Sequence, residues 1–332
     1  MKKMKTMLLH EETYAQEREE IVRPFLEERK TEKYLERELG KKLFVTAYRT
    51  DAPRAVAVIS HGFTESVRKY EEPVYYFLNQ GYDVVLPEHC GHGKSYRLVD
   101  DPSLVHVDGY ERYVQDLLYV IHDTKKQYPE IPLVLFGHSM GGGIAAQTAA
   151  EAPELIDTLV LSSPMIRPLT GNIPWKVTMA ITNFMCLLGK STEYVAGQKP
   201  FEDKETFEDS SSLSRGRFEY YYQNVKRKDP IYQTNAASYG WLKAAAGLTR
   251  QLLTRSYENL TMPILLTQSG KDAFVSNDAQ TELIRKIKKQ GNSNVWLLRF
   301  PEAKHECYNG YDALVEKYWT QVFRFLDRTL HE

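Results

Sequence analysis

The sequence predicts an α/β fold with a mostly parallel sheet. Short apolar runs alternate along the chain with stretches of helical periodicity, the order expected of parallel strand–helix units. One apolar run leads directly into a G-x-S-x-G pattern at residues 137–141, which is typical of a tight turn between a strand and a helix. The alternation stops only between residue 164 and about residue 250. We therefore expect one α/β body interrupted by a single helical insertion.

The predicted strands divide the chain into a body and two further parts. The sheet begins at residues 42–50, and its later strands lie at 55–60, 82–87, 131–137, 158–163, 263–268 and 294–300. Residues 11–40 are rich in charge, and their apolar residues are spaced for helices that lay one face on the body. The resulting prediction is an N-terminal helical appendage (1–40), an α/β body (41–164 and 251–332) and a helical cap (165–250).

Ser139 is the predicted nucleophile. Gly137 and Gly141 stand two positions to either side of it, and larger residues there would collide with the neighbouring strand and helix. The Gly- and Ala-rich segment 142–150 suits a helix packed closely beneath the turn, whose first backbone N–H groups point toward the serine. The pattern indicates a nucleophile elbow.

An acid and a base follow the serine in the order that such folds use. Asp272 comes just after the apolar run 262–268, and His305 lies in a loop after the run 294–300. Taken singly, the aspartate suits a turn and the histidine a surface loop. Their joint position after two strands favours catalysis, in which His305 takes the Ser139 proton and Asp272 holds the other ring nitrogen.

The oxyanion hole needs two N–H donors. Met140, directly after the nucleophile, supplies one, and Phe63 in the loop after the strand at 55–60 is the expected second donor. The alternative is that His61 and Gly62 form only a turn.

These motifs resemble the α/β-hydrolase superfamily. The resemblance rests on residues 60–63, 91–95 and 137–142 together with Asp272 and His305. Further segments are similar to the bacterial lysophospholipase and monoacylglycerol lipase group, also called serine aminopeptidase-like hydrolases, over residues 40–330: 101–107, 113–117, 229–230 and 239–242. The resemblance implies an eight-stranded sheet with an inserted cap, no cofactor, and hydrolysis of a lipid ester.

The chain departs from this family at one point. Glu88, His89 and Cys90 stand where relatives usually have Asp and Arg before Gly-His-Gly, so the ion pair that relatives form there is in doubt. A metal site at His89, Cys90 and His92 would lack a second ligand pair at zinc-like spacing, and we expect no metal. Cys307 lies two residues after His305, but without an elbow around it we expect a packing role.

Composition limits the partners of the protein. The 43 basic residues almost balance the 44 acidic ones, which gives no reason to expect nucleic acid as a partner. Three cysteines make no disulfide framework, Met1–His10 lacks the apolar stretch of a signal peptide, and no window is apolar enough to span a membrane. We expect a cytoplasmic protein and leave peripheral membrane contact and oligomeric state open.

The predicted cap is the expected place of substrate selection. Met179 and Phe184 suit an acyl-chain tunnel, or else they hold the cap on the body. Arg215 and Arg217 would pair with a lysophospholipid phosphate, or else they lie on a solvated face. The tyrosines at 220–222 would cage a choline cation or simply pack.

The predicted function is a metal-independent serine hydrolase that cleaves esters of single-chain lipids. The resemblance implies a lysophospholipid or a monoacylglycerol as substrate. A short-chain carboxylesterase and a non-catalytic binding protein on the same fold are alternatives. A third alternative is an aminopeptidase, whose amine-binding group would come from the acidic residues of the cap: Glu202, Asp203, Glu205, Glu208 and Asp209.

Overall fold

The computed structural model describes residues 8–330 and contains an eight-stranded sheet. In chain order its strands are β1 (Lys30–Glu38), β2 (Lys41–Tyr48), β3 (Ala55–Ser60), β4 (Tyr82–Pro87), β6 (Leu133–His138), β7 (Thr158–Ser162), β9 (Ile264–Ser269) and β10 (Val295–Phe300). A separate parallel pair joins β5 (Leu104–Val105) to β8 (Ala236–Ala237). Across the large sheet the order is β1-β2-β4-β3-β6-β7-β9-β10.

Helices cover both faces of this sheet. They are α1 (Tyr14–Glu17), α2 (Arg23–Glu27), α3 (Glu71–Asn79), α4 (Tyr110–Gln127), α5 (Ser139–Glu151), α6 (Trp175–Leu187), α7 (Arg215–Tyr221), α8 (Tyr239–Thr254), α9 (Asn277–Lys289) and α10 (Asp312–Thr329). Shorter 3₁₀ turns lie at Val67–Tyr70, Pro153–Leu155, Pro230–Tyr232, Ser256–Asn259 and Cys307–Asn309, and π-helical turns at Arg18–Val22 and Tyr222–Lys226.

The central strand β6 shows how the sequence builds two cores. Leu133 and Leu135 pack on one face with α4, α5, α8 and α9, whereas Val134 and Phe136 pack on the other with α3 and α10. Both sets of side chains are fully buried, as expected of a parallel strand covered by helices on both faces. The pairings β1–β2 and β2–β4 are antiparallel, and all pairings from β4 across to β10 are parallel. The predicted fold class is confirmed.

The N-terminal prediction was wrong for residues 30–38. This segment is strand β1 rather than a helix, and it pairs antiparallel with β2 at the edge of the sheet. Tyr34 lies opposite Phe44 in the register, and the two rings pack 5.4 Å apart. Few apolar residues mark this segment, so its periodicity was weak, and cross-strand pairing with β2 decided the outcome. The first seven residues of the predicted appendage lie outside the described part of the chain.

The insertion between β7 and β9 contains α6, α7, β8 and α8. The predicted cap boundary at residue 250 falls inside α8, whose Leu248 and Leu252 are buried in the core of the body. The cap is therefore joined to the body through this helix. None of the helices within residues 8–330 is long and apolar enough to cross a bilayer.

Candidate active site

Ser139 lies on the turn between β6 and α5. Its backbone φ is +52°, a left-handed conformation that is costly for a residue with a side chain. A Cβ on Gly137 would come within 2.6 Å of the Gly141 carbonyl oxygen, and a Cβ on Gly141 would overlap the carbonyl oxygens of Ser60 and His61. Glycine at these two positions lets the elbow fit between β3 and α5.

We expect Gly141→Ala to destabilise the fold by about 3 kcal/mol or more, because the new methyl group meets backbone that cannot rotate away. Urea unfolding followed by circular dichroism would measure this loss. Gly189→Ala is the control, since Gly189 has a φ of +78° but open space around an added Cβ. Its cost should be about 1 to 2 kcal/mol from strain alone, and equal losses in the two variants would contradict the crowding argument.

His305 connects the serine to Asp272. Its Nε2 lies 2.7 Å from Ser139 Oγ, and its Nδ1 lies 2.7 Å from Asp272 Oδ2. A carboxylate can only accept, so Nδ1 carries the ring proton and Nε2 accepts from the serine hydroxyl. The structure thus brings the three residues predicted from separate strand ends into one hydrogen-bonded row.

Asp272 is held in its charged form. Its side chain is enclosed, and its Oδ1 accepts from the backbone amides of Phe274 (2.8 Å) and Val275 (3.0 Å). Burial alone would raise the pKa of Asp272, but the hydrogen bond and charge of His305, with the two amides, lower it below the ordinary value. The aspartate is therefore ready to stabilise a protonated His305.

In the loop after β3, the backbone N–H groups on either side of Phe63 already have hydrogen-bond acceptors. The Gly62 N–H donates to Glu65 Oε2 (2.7 Å), and the Thr64 N–H donates to His92 Nε2 (3.2 Å). Between them lies Phe63, the predicted oxyanion donor. Met140 is the second residue of α5, and the first four N–H groups of a helix have no partner within it.

Trp241 links the two predicted oxyanion residues. It belongs to the family-like segment 239–242, but that resemblance did not indicate this role. Its ring packs 4.4 Å from that of Phe63, and its Nε1–H donates to Met140 Sδ (3.4 Å). This tryptophan lies on α8, about a hundred positions after Met140. Only the folded chain shows that the cap helix supports the oxyanion loop.

Three buried histidines hold that loop to the segment after β4. His61 Nε2 accepts from the His89 N–H (2.9 Å), His89 Nε2 lies 2.9 Å from Ser60 Oγ, and His92 Nδ1–H donates to the Cys90 carbonyl (3.1 Å). Burial lowers the pKa of all three, that of His61 to about 4, so they act as neutral hydrogen-bonding groups. Internal hydrogen bonds therefore already use His89 Nε2 and both ring nitrogens of His92, the two histidines of the rejected metal site.

Glu88 stands in the segment where the sequence departs from the pattern of the proteins it resembles. Its carboxyl group is buried and accepts from the backbone amides of Lys94 (2.6 Å) and Val67 (3.3 Å). Burial raises the pKa of Glu88 to about 7, although the two amides oppose the shift. Backbone hydrogen bonds therefore hold the Glu88 carboxyl group in place.

Because of Glu88, the free energy of unfolding should decrease as pH rises. The folded state binds its proton more tightly than the unfolded state, so the contribution is full below about pH 4.5 and is lost as pH rises through 7. Glu88→Gln cannot titrate, although its amide NH2 faces one of the two backbone N–H groups at a constant cost. We therefore expect its stability to stay level between pH 5 and pH 8, whereas the wild type loses up to about 3 kcal/mol. Urea unfolding at several pH values tests this, with the exposed Glu154→Gln as control. Parallel pH curves for wild type and Glu88→Gln would contradict it.

Ser139 and His305 line a cavity of about 630 Å³, within the size range of pockets that bury small organic ligands. Its lining divides into two groups. The polar wall includes Glu65, Lys69, Ser211, Tyr221 and Glu306. The apolar wall consists of Met165, Leu169, Ile173, Trp241, Leu242 and Phe274.

Comparison with known proteins places this site in a family. The model of the family described as "Serine aminopeptidase, S33" matches residues 51–312. The chain belongs to this hydrolase family. Its sequence is 29% identical to a probable lysophospholipase L2 of Haemophilus influenzae over 259 residues, covering 76% of this chain and 80% of the relative. It is 30% identical to human monoglyceride lipase over 258 residues, covering 76% of each.

Solved structures agree on the fold. A soluble variant of yeast (Saccharomyces cerevisiae) monoglyceride lipase with a substrate analogue matches 91% of this chain and 96% of its own at 17% identity, with a TM-score of 0.71. A thermostable carboxyl esterase from Bacillus coagulans with glycerol matches 91% and 99% at 18% identity, with a TM-score of 0.75. The resemblance inferred from the motifs is confirmed, and this member of the S33 family is a carboxylic ester hydrolase.

The four cap residues predicted to bind substrate do not line the cavity of this S33 hydrolase. Met179 packs against the core, and the Phe184 side chain is 60% exposed on the outside of α6. Arg215 is exposed and pairs with Glu208 (2.7 Å) and Glu219 (3.3 Å). The phosphate-binding prediction is corrected most clearly at Arg217, which is buried and bonded to carboxylates and carbonyls of the protein.

The cavity is also lined by aromatic and charged residues whose place there the sequence pattern does not predict. Tyr221 and Tyr222 line the cavity, whereas Tyr220 packs edge-on against Tyr14 at 5.6 Å. Lys69 and Glu306 were missed, although Glu306 directly follows His305. Charged residues are common in exposed loops, so neither position stands out in a single sequence.

Cys307 is not placed as a nucleophile. It is a buried free thiol whose Sγ lies 3.0 Å from Ser269 Oγ, and burial raises its pKa to about 12. A thiol that stays protonated at neutral pH is a poor nucleophile, so its role is packing.

Within the described residues, Glu65, His138 and Glu306 are the group of potential metal ligands whose atoms come within 4.8 Å of one another. Lys69 Nζ lies 3.0 Å from Glu65 Oε1 and 2.5 Å from Glu306 Oε1. Burial lowers the pKa of Lys69, but the two carboxylates raise it more, to a net value above the ordinary one. An ammonium group thus already neutralises part of the charge that would attract a cation.

Proposed function

We propose that this S33 hydrolase cleaves the ester of a single-chain lipid through an acyl-enzyme on Ser139. The observation that carries the proposal is the row Ser139, His305 and Asp272, joined by two hydrogen bonds of 2.7 Å beside the cavity. Nucleophile, base and orienting carboxylate are each within hydrogen-bonding reach of the next, as acyl transfer requires.

The chemistry proceeds in two stages. As Ser139 Oγ attacks the ester carbonyl, His305 Nε2 accepts its proton, and the Phe63 and Met140 amides bind the oxyanion. His305 then gives the proton to the departing alcohol oxygen, which leaves Ser139 acylated. Water gives a proton to His305 as it attacks the acyl group. His305 then returns that proton to Ser139 Oγ as the bond from Ser139 to the acyl group breaks, which releases the fatty acid and restores the free serine.

The polar wall favours an uncharged, hydroxyl-bearing head group. Glu65 and Glu306 carry two negative charges against the single positive charge of Lys69, so a phosphate would meet a net negative wall. Burial lowers the pKa of His138 to about 4, and its unpartnered Nε2 lies 3.8 Å from Glu65 Oε1. A hydroxyl could donate to either acceptor. We infer that monoacylglycerol is preferred to lysophospholipid.

A panel of lipids with one acyl chain and different heads tests this choice. We expect kcat/KM for a monoacylglycerol to exceed that for the matching lysophosphatidylcholine and lysophosphatidic acid by about tenfold or more, which corresponds to about 1.4 kcal/mol of transition-state binding. Ser139→Ala serves as the blank. Faster cleavage of either lysophospholipid would contradict the assigned head group.

The exposed face of α6 suits a lipid surface. Val177, Ile181, Phe184 and Leu188 follow one another at spacings of four, three and four residues and are largely exposed. This face continues to Leu169, Ile173 and Phe274, which are about half exposed and line the cavity. We infer that it docks on the membrane or micelle that carries the substrate.

Vesicle flotation tests this docking. Phe184→Ser with Leu188→Ser should lower the fraction that floats with phosphatidylcholine vesicles, because apolar area at the contact is lost. Leu39→Ser, which removes a 97% exposed leucine in the β1–β2 turn, is the matched control. If the Phe184→Ser, Leu188→Ser variant floated to the same extent as the Leu39→Ser control, a role for α6 would be rejected.

An aminopeptidase activity is the second candidate, because the cavity contains several carboxylates. They are already bonded: Glu205 to Lys226 (3.0 Å), Asp209 to Thr206 (2.8 Å), and Glu65 and Glu306 to Lys69. Glu202 and Asp203 bond to Lys199 and Arg227, and Glu208 to Arg215. We expect an acyl ester to be cleaved faster than an aminoacyl arylamide of similar size. The opposite order would favour the peptidase.

A further inference from the structure

Residues 8–27, here called the N-terminal arm, lie outside the matched family region of 51–312. The arm is nevertheless built into the protein. Tyr14, Arg18, Val22 and Leu26 are buried at a constant spacing of four residues. In a regular α-helix, side chains four residues apart shift progressively around the helix axis. The wider π-helical turn at Arg18–Val22 offsets this shift, so that all four side chains stay on one face.

This face meets the cap helix α7. The Glu11 carboxylate accepts from the Arg215 N–H (2.8 Å) at the start of α7, and a Cβ on Gly216 would come within 2.5 Å of the Glu11 carbonyl oxygen. Further along, the Arg18 guanidinium lies 4.8 Å from the ring centre of Tyr220. Backbone, charge and ring contacts therefore join arm and cap at successive turns.

A buried arginine connects this junction to the body. Arg217 on α7 bonds to Glu72 on α3 (2.9 Å), to Asp312 at the start of α10 (3.1 Å) and to the Leu9 carbonyl of the arm (2.8 Å). Arg18 pairs in turn with Glu71, beside Glu72. Breaking a buried pair costs more than a surface pair, so arm, cap and body are held in one arrangement.

The opposite face of α7 and the turn after it contribute to the cavity. Phe218, Tyr221 and Tyr222 line it, with the Phe218 and Tyr222 rings stacked at 5.6 Å. The Tyr221 hydroxyl lies 3.3 Å from Ser66 Oγ, in the same loop as the predicted oxyanion donor. A helix of seven residues thus has the arm on one side and the substrate cavity on the other.

We propose that the N-terminal arm is a specificity-determining element of this hydrolase. Glu11, Tyr14 and Arg18 are positioning residues: they touch no substrate, but they fix the aromatic cavity wall formed by Phe218, Tyr221 and Tyr222. When the arm is displaced, that wall loosens, and binding of a substrate that fills the cavity weakens. The triad, which lies on β-strand ends and the elbow, keeps its geometry.

Two variants of the full chain displace the arm from different sides. Gly216→Ala places a methyl group against the Glu11 carbonyl. Arg18→Met removes the contacts to Tyr220 and Glu71 but leaves Glu71 its partner Arg68 at 2.6 Å, so no buried charge is stranded. Glu12→Ala, at an exposed position of the same arm, is the control. The midpoint of thermal unfolding identifies any variant that fails to fold.

Two measurements are made on each protein. Amide hydrogen exchange of residues 214–226 reports the cavity wall, and steady-state kinetics compare a long-chain with a two-carbon p-nitrophenyl ester. In both variants we expect faster exchange at 214–226 and a KM for the long-chain ester about fivefold to tenfold higher than in the wild type. The kcat for the long-chain ester, and both kcat and KM for the two-carbon ester, should stay within about twofold of the wild-type values. The control should match wild type.

Faster exchange in the arm without faster exchange at 214–226 would overturn the proposal. An unchanged KM for the long-chain ester, with faster exchange in both the arm and residues 214–226, would also overturn it. The same holds if activity on the two esters fell by an equal factor. The choice of a long-chain ester rests on the proposed lipid substrate. If the wild type cleaves only short esters, the lipid assignment fails, and the exchange data still decide whether the arm fixes the wall.

Discussion

Replacing Ser139 with alanine should lower kcat for ester hydrolysis by about 10⁴-fold or more. The hydroxyl is the only group in the row that can form the acyl-enzyme, and its removal leaves oxyanion binding and positioning alone. Folding should be little affected, because alanine bears the same backbone strain at φ +52° and only one hydrogen bond is lost. The measurement is initial-rate hydrolysis of a monoacylglycerol under saturating conditions.

Ser163→Ala is the matched control for this variant. Ser163 is also buried, also has a positive φ of 41°, and hydrogen-bonds to Ser269 Oγ at 2.8 Å. It shares the strain and burial of Ser139 but lies outside the row, so its activity should stay near that of the wild type. Similar losses in both variants would show that removing a buried hydroxyl near this sheet edge is enough to impair the enzyme, and the specific role of the Ser139 hydroxyl would be rejected.

Asp272→Asn should lower kcat by about 10³- to 10⁴-fold while the fold is retained. The asparagine amide can donate to His305 Nδ1, which moves the ring proton to Nε2 and leaves no acceptor for the Ser139 hydroxyl. A positive charge on His305 would also lose its stabilising carboxylate. The variant's pH–rate profile and its kcat at pH 7 measure both effects.

The control is Asp278→Asn, an exposed aspartate in the first turn of α9. It loses the same charge six residues away without touching His305. If Asp272→Asn retained more than about a tenth of wild-type kcat, the aspartate would only position the loop, and its electrostatic role would be rejected.

The parts of the site that local sequence could predict are those fixed by backbone geometry. Gly137 and Gly141 are required by overlaps with neighbouring backbone, and Asp272 and His305 each follow the end of a parallel strand. Because the carboxyl ends of parallel strands meet at one edge, order along the chain was enough to place these residues together.

The rest depends on contacts between distant segments. Arginine is most often a surface or phosphate-binding residue. Only contacts with Glu72 and the Leu9 carbonyl, which are distant in sequence, make Arg217 a buried structural cation. β1 formed where weak periodicity favoured a helix, because β2 offered an open edge. Trp241 reached the oxyanion loop through the placement of α8, which no local pattern encodes.

The most direct test of the central claim is covalent trapping of the nucleophile. The wild type is treated with a long-chain alkyl fluorophosphonate, the adduct is mapped by peptide mass spectrometry, and residual ester hydrolysis is followed on the same sample. We predict a single adduct on Ser139, with activity lost in proportion to labelling and labelling slowed by monoacylglycerol. Hydrolysis that persists after Ser139 is fully modified, or an adduct on another residue that accounts for the loss, would contradict the assignment.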